Sequence, residues 1–145
     1  MNAFGMQPWL FWALLSAAFA ALTAIFAKLG VESIDSDVAM FFRTIVIVCV
    51  LGLILFAMGK LQSFGKISPK TWAFLAASGL ATGASWFCYF RALKVGDAVR
   101  VAPIDKLSVV FVAVAGVALL GEHLSTRGWA GIVLIAMGAA LVAVA

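Results

Sequence analysis

Three charged residues interrupt stretches of sequence that are otherwise apolar, and their side chains are the ones in this chain best suited to chemistry. Arg43 lies within the stretch 38–59, and Asp105 and Lys106 lie within 101–121. A charge inside the hydrocarbon of a membrane is costly, and such residues mark either a functional site or a buried ion pair. The three residues therefore predict a polar site within an apolar protein.

A row of polar side chains recurs at helical spacing in the third apolar stretch. Ser78, Thr82, Ser85 and Tyr89 follow one another at spacings of four, three and four residues, with Trp86 beside them. In an α-helix these spacings place the side chains on one face. The row therefore predicts the wall of a polar cavity that includes an aromatic ring.

Two interpretations of the charged residues remain open. In the first, Lys106 and Arg43 bind an anionic or zwitterionic group, while Asp105 orients Lys106 or exchanges a proton. In the second, Arg43 and Asp105 form a structural ion pair between two helices, and Lys106 extends to the membrane surface. Pro103 lacks a backbone N–H and crowds the preceding turn, so we expect the helix to break or kink just before Asp105.

Five stretches are long and apolar enough to hold these residues in membrane-spanning helices. A span needs about 20 mostly apolar residues, and the stretches cover about 9–28, 38–59, 71–90, 101–121 and 128–145. The connections between them are short. We therefore predict an all-α fold, one transmembrane domain of five helices over 1–145.

Residues at the ends of these stretches are typical helix boundaries. The expected signals are Gly30 closing the first helix, Asp37 capping the second, Ser68 and Pro69 starting the third, and Ser125 or Thr126 capping the fifth. Within the third helix, Gly79 and Gly83 have the spacing that lets two helices approach closely in lipid, so we expect them to pack the bundle.

The composition agrees with a membrane protein. Of the 145 residues, 66% are hydrophobic and 11% are charged, whereas soluble domains contain roughly 25% charged residues. Lys and Arg are scattered singly between the apolar runs, which excludes a nucleic-acid partner. Cys49 and Cys88 have no metal-type spacing, and no nucleophile has a paired base, so we predict neither a cofactor nor an enzymatic activity.

The basic residues outside the membrane are divided evenly between its two sides. One side has Lys60, Lys66, Lys70 and Arg127, and the other has Lys28, Arg91, Lys94 and Arg100. Because an excess of Lys and Arg fixes orientation, an even division favours insertion in both orientations. The alternative is one fixed orientation set by local signals. Two oppositely inserted copies of a five-helix chain would form an antiparallel homodimer.

Several segments in order resemble the EamA domain of the drug/metabolite transporter superfamily. They are Phe42-Arg43-Thr44, Tyr89-Phe90-Arg91-Ala92-Leu93, Val101-Ala102-Pro103-Ile104 with Leu107-Ser108, Leu119-Leu120-Gly121-Glu122, and the stretch from Gly128 onward. The resemblance implies a five-helix unit that usually occurs twice, inverted, in carriers of small metabolites. This chain is similar to the short members with one unit. It has no glutamate within 9–28, so the exchange site of the four-helix multidrug branch does not carry over.

These observations predict a secondary transporter in the inner (plasma) membrane that moves a small anionic or zwitterionic metabolite by alternating access. The expected partners are that small-molecule substrate, membrane lipids, and either a second copy of the chain or a paralogous partner chain. Two alternatives stay open: a flippase for a lipid-linked head group, and a subunit that does not itself transport but stabilises a related membrane chain.

Overall fold

A computed structural model describes residues 7–60 and 67–144 of the chain. Lys66, counted above among the loop charges, and Ala145, the predicted end of the fifth span, lie outside these residues. Most of the connection between Lys60 and Lys70 lies outside them as well.

The described residues form six helices and no strand. The helices are α1 (Pro8–Glu32), α2 (Ser36–Ala57), α3 (Pro69–Val95), α4 (Ala98–Asp105), α5 (Ser108–Leu119) and α6 (Thr126–Val144). Helices α4 and α5 together make one span, Ala98–Leu119, so the described chain has five helices long and apolar enough to cross a membrane. This confirms the predicted all-α fold with five transmembrane helices.

Side-chain caps start helices α3 and α6 at the predicted residues. Ser68 Oγ accepts a hydrogen bond from the backbone N–H of Thr71 (3.2 Å), and Pro69 is the first residue of α3. Ser125 Oγ accepts from the backbone N–H of Gly128 (3.2 Å) at the start of α6. Both predicted caps are confirmed, and each satisfies a backbone donor that has no partner within its helix.

The cap of α2 is two residues earlier than predicted. Asp35 Oδ1 accepts from the backbone N–H groups of Asp37 (2.9 Å) and Val38 (3.3 Å). The prediction that Asp37 is the cap is therefore wrong, because Asp37 already lies in the first turn of α2. Its carboxylate is left available for another partner.

The chain divides into two compact units, which are described separately. Unit 1 contains the described residues up to Ile25 together with those from Val95 onward, and unit 2 is Phe26–Lys94. In unit 1, α4 and α5 pack against α6. Unit 2 contains the last turns of α1, all of α2, and α3 up to Lys94.

The span formed by α4 and α5 is interrupted near its middle. Helix α4 continues through Pro103 to Asp105, the chain turns at Lys106 and Leu107, and α5 begins at Ser108. The turn is closed by hydrogen bonds between residues three apart, Leu107 N to Ile104 O, Val109 N to Lys106 O and Val110 N to Leu107 O, each of 3.0 Å. The interruption thus follows Asp105, whereas the expected position was just before it, because the turns after the proline tighten.

Helix α1 continues past the glycine that was expected to close it. Gly30 lies inside the helix, which ends at Glu32. Lys94 Nζ donates hydrogen bonds to three carbonyl oxygens at this end, those of Val31, Glu32 and Ile34, at 2.5, 3.2 and 3.0 Å. A cation from α3 thus binds carbonyl oxygens at the end of α1. These bonds stabilise the extension of the helix by two residues beyond Gly30.

A small core holds this end of unit 2 together. The side chains of Val31, Phe90 and Leu93 are all at most 2% exposed. Lys28 Nζ donates a hydrogen bond to the carbonyl oxygen of Leu93 (3.0 Å). Helices α1 and α3 therefore cap each other with lysines around one apolar contact.

Candidate functional site

A cavity of about 500 Å³ lies between α2 and α3 in unit 2. Its volume falls within the range of roughly 300–1,000 Å³ that is typical of small-molecule sites. Helix α2 contributes Met40, Phe41 and Thr44, and α3 contributes Leu75, Ser78, Gly79, Thr82, Gly83 and Trp86. The wall is mostly apolar, with three hydroxyl groups and one indole ring.

The α3 wall follows directly from helical periodicity. Its residues recur at spacings of three and four along the helix, which places them on one face. Gly79 and Gly83 leave space in this face, because a Cβ atom at either position would meet no described atom within 4 Å. No described residue packs on these two glycines, although their spacing predicts close helix contact. Within unit 2 they widen the cavity.

Arg43 does not line this cavity, but its guanidinium lies over the ring of Trp86, one of the wall residues. The guanidinium carbon of Arg43 is 3.8 Å from the centroid of the Trp86 ring and 5.4 Å from that of Phe90. A cation over the face of an aromatic ring is attracted by the ring quadrupole. Among the described residues of unit 2, Arg43 forms no ion pair, and the carboxylate of Asp37 is bound by Arg91.

Two threonines of the wall donate their hydroxyl protons to carbonyl oxygens of their own helices. Thr44 Oγ1 donates to the carbonyl oxygen of Met40 (2.8 Å), and Thr82 Oγ1 donates to that of Ser78 (2.9 Å). Both bonds join residues one turn apart on the same helix. The oxygen lone pairs of the two hydroxyls remain available as acceptors.

The residues predicted on α3 have different positions relative to the cavity. Ser78, Thr82 and Trp86 line it, while Ser85 and Tyr89 do not. The difference has a simple cause. A helix face at a spacing of four residues runs from Ser78 through Thr82 to Trp86, and Ser85 lies one residue short of that line.

The remaining predicted residues belong to unit 1. Lys106 Nζ and Asp105 Oδ2 form an ion pair of 2.9 Å at the interruption between α4 and α5. The two side chains are 63% and 33% exposed, respectively. Pro103 precedes them in α4. Asp105 is thus paired with its neighbour in sequence, which places a compact dipole where the helix is interrupted.

A further ion pair was not indicated by the sequence. The guanidinium of Arg91 on α3 binds both carboxylate oxygens of Asp37 on α2, with Nε to Oδ1 at 3.2 Å and Nη2 to Oδ2 at 2.9 Å. The same guanidinium lies 4.0 Å over the ring of Phe87. This bidentate pair joins the start of α2 to the end of α3, and so fixes one end of the helix pair that forms the cavity.

Several wall residues were missed by sequence reasoning. Met40, Phe41 and Leu75 are typical of lipid-facing helix positions, and nothing in the sequence distinguishes them. Thr44 carried one usable signal, since it directly follows the intramembrane Arg43. The face of α2 that lines the cavity could be identified only from the structure.

Comparisons with known proteins agree with these observations. The family model of the EamA-like transporter family matches residues 7–144. A protein from a Sinorhizobium species, named an uncharacterized transporter in the cobO 3′ region, is 62% identical over 138 residues. The match covers 95% of this chain and 98% of that relative. No solved structure matches the chain. The resemblance found in the sequence is confirmed: the chain belongs to the EamA-like transporter family and is a multi-pass membrane transporter.

Proposed function

We propose that this transporter is a secondary carrier of a small polar solute, anionic or zwitterionic, and that it works by alternating access in the inner (plasma) membrane. The observation that carries the proposal is the stack of Arg43 on Trp86, a wall residue of the α2–α3 cavity. A guanidinium held beside a cavity inside a membrane span is placed to bind a carboxylate or phosphate. Arg43 is therefore the principal anion-binding residue of the proposal.

The hydroxyl wall and the interruption of the fourth span support the same function. Ser78 and Thr82 give an otherwise apolar cavity the polar groups that orient a bound solute. Lys106 is proposed as a second anion-binding charge, which Asp105 orients through their ion pair. Backbone that leaves the helix at membrane depth is tolerated where it is buried in protein or lines a water-filled cavity, as expected of a transport path.

The assembly we propose is an antiparallel homodimer. Five spans place the two ends of a chain on opposite sides of the membrane, and many transporters pair two inverted units around a central site. Large apolar side chains are exposed along the described helices, including Leu80 at 77% and Phe56 at 70%. Lipid and a second copy would cover these surfaces. A paralogous chain of opposite orientation is the alternative partner.

Flux through the purified chain tests the carrier function. Proteoliposomes containing only this chain would be incubated with a defined mixture of amino acids, organic acids, sugars and amines, and the solutes inside would be identified by mass spectrometry. We expect wild-type protein to accumulate at least one anionic or zwitterionic solute. Arg43→Ala should abolish that accumulation, and Arg127→Ala, which removes a charge in the first turn of α6, should preserve it.

Other outcomes would point to the alternatives. Accumulation that is equal in wild type and Arg43→Ala would refute the site. Activity seen only with a lipid-linked substrate would indicate a flippase. Activity that appears only when a related chain is reconstituted with this one would indicate a partner subunit.

A further inference from the structure

We propose that unit 1 contains a binding site for one membrane phospholipid of the ethanolamine type, whose headgroup has a primary ammonium and a phosphate. The site is a cavity of about 160 Å³ formed by α5, α6 and the segment that joins them. Glu122 binds the ammonium and His123 binds the phosphate, while one acyl chain lies along α5. This inference goes beyond the carrier function and does not depend on it.

The apolar part of the cavity is suited to an acyl chain. From Val109 to Val117 its α5 wall extends about 12 Å along the helix, at 1.5 Å per residue. Val112 in this wall is 67% exposed. Because α5 belongs to a span that is long and apolar enough to cross a membrane, the molecules that reach such a surface are lipids. The wall residues share one helix face and, with one residue of α6, are Val109, Val112, Ala113, Val117 and Ile132.

The polar part of the cavity lies at the end of the same span. Glu122 and His123 line the cavity and follow Leu119, the last residue of α5, which places them at the level of the lipid headgroups. An ionised carboxylate only accepts hydrogen bonds, and so it is matched to an ammonium that has N–H donors. An imidazole has at least one N–H donor in either protonation state, and so it can bind a phosphate oxygen. The cavity thus has an apolar wall within the membrane and both headgroup partners at its surface.

The backbone around two glycines positions the carboxylate. Gly121 has a φ of 68°, which glycine adopts readily at the end of a helix. The chain turns back there, and the backbone N–H of Glu122 donates a hydrogen bond to the carbonyl oxygen of Gly116 (3.1 Å). Oε2 of Glu122 lies 2.7 Å from the position that a Cβ atom at Gly116 would occupy. The carboxylate therefore lies over the last turn of α5, in space that only a glycine leaves open.

Headgroup chemistry distinguishes the ethanolamine lipid from two other phospholipids. A choline headgroup has a quaternary ammonium without N–H donors, so it cannot form a charge-assisted hydrogen bond with Glu122. A glycerol headgroup has no cation, and its lipid has a net negative charge that the carboxylate repels. The ethanolamine headgroup provides N–H donors for Glu122 and phosphate oxygens for His123. We therefore expect selectivity among lipids that have the same acyl chains.

Native mass spectrometry of the purified full chain tests this inference. Phosphatidylethanolamine, phosphatidylcholine and phosphatidylglycerol with identical acyl chains would be titrated separately into the detergent-solubilised protein. The ratio of lipid-free chain to chain with one bound lipid gives each dissociation constant. We expect phosphatidylethanolamine to bind about tenfold or more tightly than the other two lipids, the effect of a charge-assisted hydrogen bond. Free phosphoethanolamine, which has the headgroup without acyl chains, should compete only at a much higher concentration.

Two substitutions act on the carboxylate in different ways. Glu122→Gln removes the charge and should lower the affinity for phosphatidylethanolamine to about that for phosphatidylcholine. Gly116→Ala keeps the charge but displaces the carboxylate, whose flexible side chain can move aside without unfolding the helix, and should also weaken binding several-fold. Glu32→Gln, the same change at an exposed position at the end of α1, and Gly138→Ala, at a glycine with open space around it, are the matched controls.

Substitutions of the imidazole complete the test. His123→Ala should weaken binding of phosphatidylethanolamine several-fold, and His123→Gln, which retains an N–H donor, should restore part of the loss. The affinity for phosphatidylcholine should stay the same in all of these variants, which shows that the apolar wall is still folded. Equal affinities for the three lipids, or wild-type binding of phosphatidylethanolamine by Glu122→Gln, would overturn the inference. Free phosphoethanolamine that binds as tightly as the whole lipid would overturn it as well, and would indicate a soluble ligand.

Discussion

The guanidinium of Arg43 on α2 lies over the ring of Trp86 on α3, with 3.8 Å between the guanidinium carbon and the ring centroid. The contact joins the two helices whose described residues line the α2–α3 cavity. It holds a long, flexible side chain in one position, so that its N–H donors are ordered before a solute arrives. Trp86 is therefore a positioning residue as well as a wall residue.

Removing the ring should release the arginine. Cation–π contacts contribute about 0.5–2 kcal/mol, so we predict that Trp86→Ala weakens solute affinity by up to about 30-fold and that Trp86→Phe restores part of the loss. The measurement is the affinity for the solute that accumulates in proteoliposomes, determined by calorimetric titration into each purified variant. Trp129→Ala, which removes an indole that does not line the cavity, is the matched control. Equal affinities in wild type and Trp86→Ala would show that the stack does not position Arg43.

The lysine cap between α1 and α3 should contribute to stability without affecting the solute. Lys94→Met removes three hydrogen bonds to carbonyls at the end of α1, and we predict a loss of about 1–2 kcal/mol in the free energy of unfolding. Lys70→Met, on the same helix but without these contacts, should change stability little. Unfolding in a denaturing detergent provides the comparison. Equal losses in the two variants would contradict a specific cap.

The ion pair of Arg91 with Asp37 should show coupling between its two partners. Arg91→Met and Asp37→Asn are each expected to lower the melting temperature, since each breaks the same bidentate contact. The double variant should lower it by less than the sum of the two single effects. Additive losses in this double-mutant cycle would mean that the two side chains stabilise the protein independently.

Filling the cavity from the α3 side should block it. A Cβ atom at Gly83 would meet no described atom within 4 Å, so Gly83→Leu is expected to fold and to extend its side chain into the cavity. We predict a loss of transport with an unchanged melting temperature. Gly138→Leu, at another glycine with open space around it that does not line this cavity, is the control. Full transport by Gly83→Leu would place the solute path elsewhere.

The five spans could be predicted because hydropathy and length alone decide whether a helix crosses a membrane. The caps at Ser68 and Ser125 were also local, since each side chain binds a backbone N–H three residues later. The cap of α2 was ambiguous from sequence. Asp35 and Asp37 are equivalent candidates in an Asp-Ser-Asp segment, and only the backbone conformation distinguishes them.

Contacts between side chains of different helices could not be predicted from one sequence. Arg91 was counted as a loop charge, but its partner Asp37 lies 54 residues away. The end of α1 depends on Lys94, some 60 residues along the chain. The α3 wall could be predicted in part from its period. The α2 wall could not be predicted, because one sequence does not show which face of α2 lies toward α3.

Protection of a cysteine in the wall tests directly whether the solute binds in the cavity between α2 and α3. In a chain carrying Cys49→Ala and Cys88→Ala, Ser78→Cys would place a thiol in the cavity wall. Ser33→Cys, in the exposed turn between α1 and α2, would serve as the control. The measurement is the rate of N-ethylmaleimide labelling in proteoliposomes, with and without the solute that accumulates. We predict that the solute slows labelling at position 78 several-fold and leaves labelling at position 33 unchanged. Equal labelling rates at position 78 with and without the solute would contradict binding of the solute in this cavity.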